Sequence, residues 1–350
     1  MNTLNSSPEK TDTEHTVKRR SGLLTVVAPV AALLAAAYLT TVAVAVSVPD
    51  HTDYAKASVL KHAQLDAHDG KKIVLVGGSN LAYGIDSNVL REATQCRVIN
   101  MGMNGYFGVR FMLEEVKPYL RDGDIVVIAW EYDSFYKSVD GASTDLLMVT
   151  KANTDAFRFL TFDQKMGVLS RYPYVAQQKV VRLLGAGYEH LAVLMGAPPE
   201  EADPTGIEAV ESLASFTEDG DLIGHLGRTW EYSLEDGLDM SNLPVDSGIL
   251  PMMEQFVEDM EAQNVKVLMS WGPVIETFYE QHQTEIERLN AEMAAIEAFN
   301  IPRPAREYVF PASQHFDTVF HLNREGRAIR SQMLADDILN QFGDDAICNP

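Results

Sequence analysis

The stretch KKIVLVGGSNLAYGIDS, residues 71–87, runs an apolar segment directly into a serine. Ile73 to Gly78 is apolar or glycine throughout, the composition of a strand buried on both faces of a parallel sheet. Ser79 then stands at the carboxyl end of that strand, where open α/β sheets place their ligands. Three roles are open to a serine there. It could cap the helix expected over 79–93, act as a nucleophile, or belong to a phosphate loop. The last fits least, because no Lys-Ser/Thr follows and the glycine spacing of a dinucleotide fingerprint is missing.

Working outward, strands are expected at Ile73–Val76, Cys96–Asn100, Asp124–Trp130 (DIVVIAW) and Val265–Trp271. Helices are expected over Val109–Leu120, Leu250–Gln263, Glu276–Phe299 and Arg324–Phe342, with Asn323 able to cap the last. Strands alternating with helices imply an α/β fold with a doubly wound, mostly parallel sheet. The interval 134–248 breaks that rhythm. It mixes aromatic-rich pieces such as RYPYVAQQKVVRLL with acidic turns such as TEDGDL. We read it as an insertion over the sheet's carboxyl edge that shapes substrate access.

Ahead of this domain, Gly22 to Val48 carries no charged residue and is long enough to cross about 30 Å of hydrocarbon. Lys18, Arg19 and Arg20 precede it and Asp50 and Asp53 follow, so the positive-inside rule puts residues 1–21 in the cytoplasm. The expected organisation is a tail over 1–21, a membrane anchor over 22–48, a polar connector over 49–70 and an α/β domain over 71–350. The rival is a cleaved signal peptide, since Ala43-Val44-Ala45 resembles a cleavage site, but signal cores usually span roughly 7–15 residues. The chain has 350 residues, 46% of them apolar, and a net charge of −22 from 50 acidic and 28 basic residues. The acidic residues are spread along it, which argues against nucleic acid, a partner that demands a basic surface. Cys96 and Cys348 are the two cysteines; an exported compartment permits a disulfide, but sequence leaves their pairing open. Their spacing has no metal signature.

A serine nucleophile needs a base, and the base needs an acceptor that holds its tautomer. HFDTVFHLNREGR, residues 315–327, supplies His321 and, four residues earlier, Asp317. The ordinary alternatives are a helix-entry histidine and a loop-capping aspartate.

VGGSN at 76–80, NMGMNG at 100–105 and DTVFHLN at 317–323, in that order, together resemble the SGNH hydrolase superfamily of GDSL-type esterases. The resemblance implies a flavodoxin-like SGNH fold, with Ser79 as nucleophile, His321 as base and Asp317 orienting it. It also implies that the Ser79 and Gly102 N–H groups hold the oxyanion. Two departures stand out. Where the family has Gly-x-Asn-Asp after the third strand, this chain has WEYD, residues 130–133, with Tyr132 in the asparagine's place; Asn104 is the candidate substitute donor. The family's Asp-x-x-His is here Asp-x-x-x-His, which rotates Asp317 relative to His321.

The layout most resembles membrane-anchored SGNH-like proteins of bacterial exopolysaccharide and cell-wall modification. That resemblance implies a single-pass protein of the bacterial inner membrane with its C-terminal domain outside the cytoplasm. Its expected activity is that of a serine esterase or O-acetyltransferase working on an acylated carbohydrate or polysaccharide, with no metal or organic cofactor. The alternative, favoured by the WEYD departure, is a catalytically weakened SGNH fold that binds glycan or scaffolds an envelope assembly. Trp130, Tyr132, Tyr136 and Trp271 would then form a sugar-stacking surface, although core packing is the commoner fate of such aromatics.

Overall fold

The computed structural model describes residues 13–50, 52–196, 206–230 and 237–348. Four strands, β1 (Lys72–Gly77), β2 (Arg97–Asn100), β3 (Ile125–Trp130) and β4 (Lys266–Trp271), form one sheet in the order β2-β1-β3-β4. Every neighbouring pair is parallel. β1 and β3 are buried at every position, as their unbroken apolar runs require. On one face Ile73, Leu75, Ile125, Val127, Ala129 and Leu268 pack with Leu81, Ile85, Leu90, Leu334 and Ile338. The protein is therefore α/β, built on a four-stranded parallel sheet.

The described helices are α1 (Thr13–Ser47), α2 (Ala57–Ala67), α3 (Ser79–Gly84), α4 (Ser87–Thr94), α5 (Val109–Val116), α6 (Ser143–Ala152), α7 (Phe162–Leu194), α8 (Ile207–Val210), α9 (Ile249–Glu261), α10 (Glu276–Gln281), α11 (Gln283–Ala294) and α12 (Arg324–Phe342). The single helix expected over 79–93 is two. Asp86 turns extended and its side chain accepts from the Asn88 N–H, so a local cap outcompetes helix continuation. The helix expected over 276–299 likewise breaks at His282. Two strands of two residues each, β5 (Val274–Ile275) and β6 (Val309–Phe310), also pair in parallel, too short to leave a periodic signal.

The 49–70 segment, read as a polar, partly helical connector, holds α2. α2 buries Lys61, His62 and Leu65, and the Lys61 ammonium donates to the carbonyls of Asn100, Gly102 and Gly220 at 2.6, 2.9 and 2.6 Å. Burial pulls its pKa down to about 7, against the opposing pull of Asp221 and Glu115. Cys96 and Cys348 form a disulfide, tying the residue before β2 to the far end of the chain.

By contacts, the chain divides into two units, the smaller of residues 1–49 and 172–197 and the larger of residues 50–171 and 198–350; one of the boundaries falls within α7, beside the interior Pro173. In the smaller unit the Tyr38 and Tyr172 rings meet edge-on at 6.5 Å. The Lys179 ammonium donates to the Ala45 carbonyl at 2.7 Å and to that of Val48, satisfying groups that the end of α1 leaves without helical partners. Val26–Ser47 of α1 is 22 residues long and apolar enough to span a membrane, about 33 Å at helical rise. Val26, Val30, Leu33, Leu34 and Leu39 are all exposed along it. Residues 1–12 of the expected cytoplasmic tail lie outside the described residues.

The order of the larger unit's sheet reverses between β1 and β3, because the chain runs outward from β1 to β2 and then returns past β1. A crevice opens at the carboxyl ends of strands at such a point. Gly77 pairs with Ala129 across it. Ser79 and Glu131, each two residues further on, are thereby brought to the same height.

Candidate active site

At this crevice His321 Nε2 lies 2.8 Å from Ser79 Oγ, and His321 Nδ1 lies 2.8 Å from Asp317 Oδ1. The loop before α12 makes this possible despite the extra residue between Asp317 and His321. His315 and Leu322 form an antiparallel bridge, and the Thr318 hydroxyl accepts the N–H groups of Phe320 and His321 at 3.3 and 3.2 Å. The chain turns back on itself, and His321 returns beside Asp317. Asn323 then caps α12 through the N–H groups of Glu325 and Gly326, as its position in the sequence suggests.

The imidazole is held from its face as well. The Tyr83 ring, on α3, stacks on it with centroids 3.9 Å apart and planes 3° from parallel. Below the serine turn, the buried guanidinium of Arg330 on α12 donates to Asn80 O at 2.7 Å and to Asn80 Oδ1 at 2.8 Å. Burial lowers the Arg330 pKa to about 10, which leaves it charged at neutral pH. Sequence reading missed both residues, since neither lies in a recognisable motif.

The residue missed with the greatest consequence is Glu131. Ser79 Oγ donates to Glu131 Oε1 at 2.8 Å, and the Asn80 N–H donates to the same oxygen at 2.9 Å. Two glycines make room for the carboxylate. A Cβ on Gly78 would lie 2.7 Å from Oε1, and one on Gly105 would lie 2.5 Å from Oε2. No local pattern marks it: the shared offset of Ser79 and Glu131 shows only once β1 and β3 are known to be parallel neighbours in this register.

Other expected roles are corrected. The Gly102 N–H donates to Asn100 Oδ1 at 2.9 Å, so it is committed to holding its own loop and does not point to an oxyanion. Asn104 lines the cleft, but its side chain donates to Asp145 at 3.0 Å and accepts the Tyr106 N–H at 2.9 Å. Trp130, Tyr132 and Trp271 are core residues, 2%, 0% and 2% exposed. Tyr132 and Trp271 stack on each other, so these aromatics offer no sugar-stacking surface. Of the two aromatics that line the cleft, Phe320 is buried and Tyr106 is half-exposed, with the Lys137 ammonium over the Tyr106 ring.

The cleft has a volume of about 390 Å³ and is lined by Ser79, His321, Glu131, Asp133, Tyr106 and Phe320 among others. Gly237 and Leu238, from the 134–248 interval, also line it. Burial and the neighbouring Glu131 raise the Asp133 pKa, and Lys137 opposes them. Burial alone would lower the His321 pKa, but the Asp317 carboxylate, with Glu131 and Glu211, outweighs it and the net shift is upward. Nearby His225 and His315 go the other way, driven chiefly by burial, to about 3 and about 4. Among these three imidazoles, His321 alone is shifted upward.

No protein-family model matches the chain, and no curated protein matches it. The described residues contain no group of three or more His, Cys, Asp or Glu side chains able to hold a metal ion.

Proposed function

We propose that the protein is a serine esterase or O-acyltransferase that works on acyl esters of carbohydrate outside the cytoplasm. The observation that carries the reaction class is the unbroken contact Asp317–His321–Ser79 at a cleft. Ser79 Oγ attacks the acyl carbonyl carbon while its proton passes to His321 Nε2, and the carbonyl electron pair moves onto oxygen. Collapse of that intermediate expels the donor's alkoxide, which takes the proton from Nε2 and leaves an acyl-serine. A water or sugar hydroxyl then attacks the acyl-serine, gives its proton to His321, and Ser79 leaves as the alcohol. Asp317 keeps the Nδ1 proton facing itself throughout.

The SGNH reading is supported by the order of the three motif blocks and by a parallel sheet whose strand order reverses where Ser79 stands. Carbohydrate as the acyl carrier rests on the resemblance, with Tyr106 as the half-exposed ring at the cleft. Export is supported by two independent features, the apolar span of α1 and the Cys96–Cys348 disulfide, a bond that persists in oxidising compartments. One observation favours the glycan-binding alternative: an anionic carboxylate sits against the nucleophile. Acetate release from an acetylated oligosaccharide, or acetyl transfer between oligosaccharides, separates the two readings. Turnover that vanishes in Ser79→Ala supports the enzyme. Tight oligosaccharide binding without turnover, unchanged in Ser79→Ala, supports the binder.

A further inference from the structure

Glu131 poses a problem of proton count. Ser79 has one hydroxyl proton, and two acceptors lie 2.8 Å from its oxygen. With that proton on the Glu131 side, the contact to His321 holds only if Nε2 carries a hydrogen. Nδ1 must carry one too, because it faces the Asp317 carboxylate. The resting arrangement therefore contains one proton more than the attacking arrangement, in which Nε2 must be bare. A serine bound in this way is not activated.

The position of the carboxylate oxygen is equally telling. Glu131 Oε1 touches both Ser79 Oγ and the Asn80 N–H. A carbonyl oxygen attached to a carbon under attack by Ser79 would have to lie within reach of a donor beside that hydroxyl. The Asn80 N–H is such a donor, and Arg330 fixes the residue that carries it. A fixed negative charge there opposes the charge that the acyl oxygen develops. The cradle of Gly78 and Gly105 gives the carboxylate a fitted seat rather than an accidental one.

We propose that the oxyanion donor is the Asn80 N–H and that Glu131 is its resting occupant, a gate that the acyl oxygen must displace before Ser79 reacts. This rests on the reading of Ser79 as nucleophile. It replaces the Gly102 N–H with a donor that the resting structure holds closed, and it makes the free protein self-inhibited.

The test is the second-order rate of covalent labelling by a fluorophosphonate, whose phosphoryl oxygen needs the same donor. The full chain in detergent is compared with Glu131→Gln and Glu131→Ala. Glutamine keeps the shape of the side chain and removes the charge; alanine removes the occupant. The gate predicts labelling in the order Ala over Gln over wild type, with the alanine gain on the order of 100-fold, the rate that one oxyanion donor commands. A labelled wild type with both variants equal to it or slower overturns the gate and leaves the nucleophile standing. Folded chains that resist labelling in all three forms overturn the nucleophile reading and the gate with it. Should alanine fail to fold, the glutamine variant decides alone. A crystal structure of the adduct provides a second readout: the phosphoryl oxygen on the Asn80 N–H with Glu131 swung out supports the gate, and Glu131 still on Asn80 contradicts it.

Discussion

β1 and β3 carry a buried pairing at each of their two ends, and the two pairings are built on opposite principles. At the amino end, Lys72 donates through its ammonium to Asp124 Oδ2 at 2.7 Å and through its N–H to Oδ1 at 3.0 Å. The Arg121 N–H completes the set at 2.9 Å, and both ionic side chains are fully buried. At the carboxyl end, the carboxylate of Glu131 meets a neutral hydroxyl and one N–H, while solvent reaches it through the cleft. The first carboxylate is neutralised in place and closes the sheet. The second is left to be displaced, seven residues further along from Lys72 to Ser79 and from Asp124 to Glu131.

That contrast predicts effects on activity at one end and on stability at the other. His321→Ala should abolish turnover, a loss on the order of 10⁴-fold or more for removal of the base, in a chain that still melts cooperatively. Steady-state kinetics with a soluble acetyl ester, alongside a melting curve, checks both halves.

Asp317→Asn should lower the plateau rate by up to about 10⁴-fold by presenting an N–H to the imidazole, and its loss should not add to that of His321→Ala. It should also move the pH profile. His321 acts as base only when neutral, so its raised pKa places the acid limb of kcat/KM above the ordinary imidazole value of about 6.5. Without the Asp317 charge, the opposition to burial weakens and the limb shifts to lower pH. By the same linkage, stability from charged His321 is fully present below the ordinary imidazole pKa. It is lost as pH rises through the raised folded value, and Asp317→Asn should erase most of that dependence.

At the amino end, Lys72→Met strands the buried Asp124 carboxylate and should cost about 3–5 kcal/mol of stability. The rate per folded molecule should not change. Pairing it with Asp124→Leu should recover much of the loss, because no charge is left unpaired. Chemical denaturation of the three chains would show this, and a loss of activity in folded Lys72→Met would break the comparison.

Reduction of Cys96–Cys348 should cost about 2–5 kcal/mol, since the bond closes a loop across a separation of 252 residues. It too should leave the rate unchanged. The smallest effect is expected at Tyr83. Its hydroxyl has no hydrogen-bond partner among the described residues, so Tyr83→Phe should be silent, whereas Tyr83→Ala removes the face that the imidazole stacks on and should lower the rate.

The strands were legible because a strand buried on both faces must be apolar at every position, and Ser79, His321 and Asp317 because their chemistry needs company in a known order. Glu131 was not, because its partnership with Ser79 depends on which strands are neighbours and in what register. The burial of Trp130, Tyr132 and Trp271 was hidden for a related reason: a strand end shows that an aromatic is near the site but not which way it faces. Gly102 failed as an oxyanion donor because Asn100, two residues before it, claims its N–H. The disulfide joins residues 252 apart, beyond any local pattern.

The central claim is that the carboxyl ends of these strands hold a reactive serine. Its most direct test is peptide mapping of the full chain after fluorophosphonate treatment. The account predicts one adduct, on Ser79, lost in His321→Ala while the variant remains folded. An adduct on another residue, or labelling of Ser79 that is indifferent to His321, would contradict it.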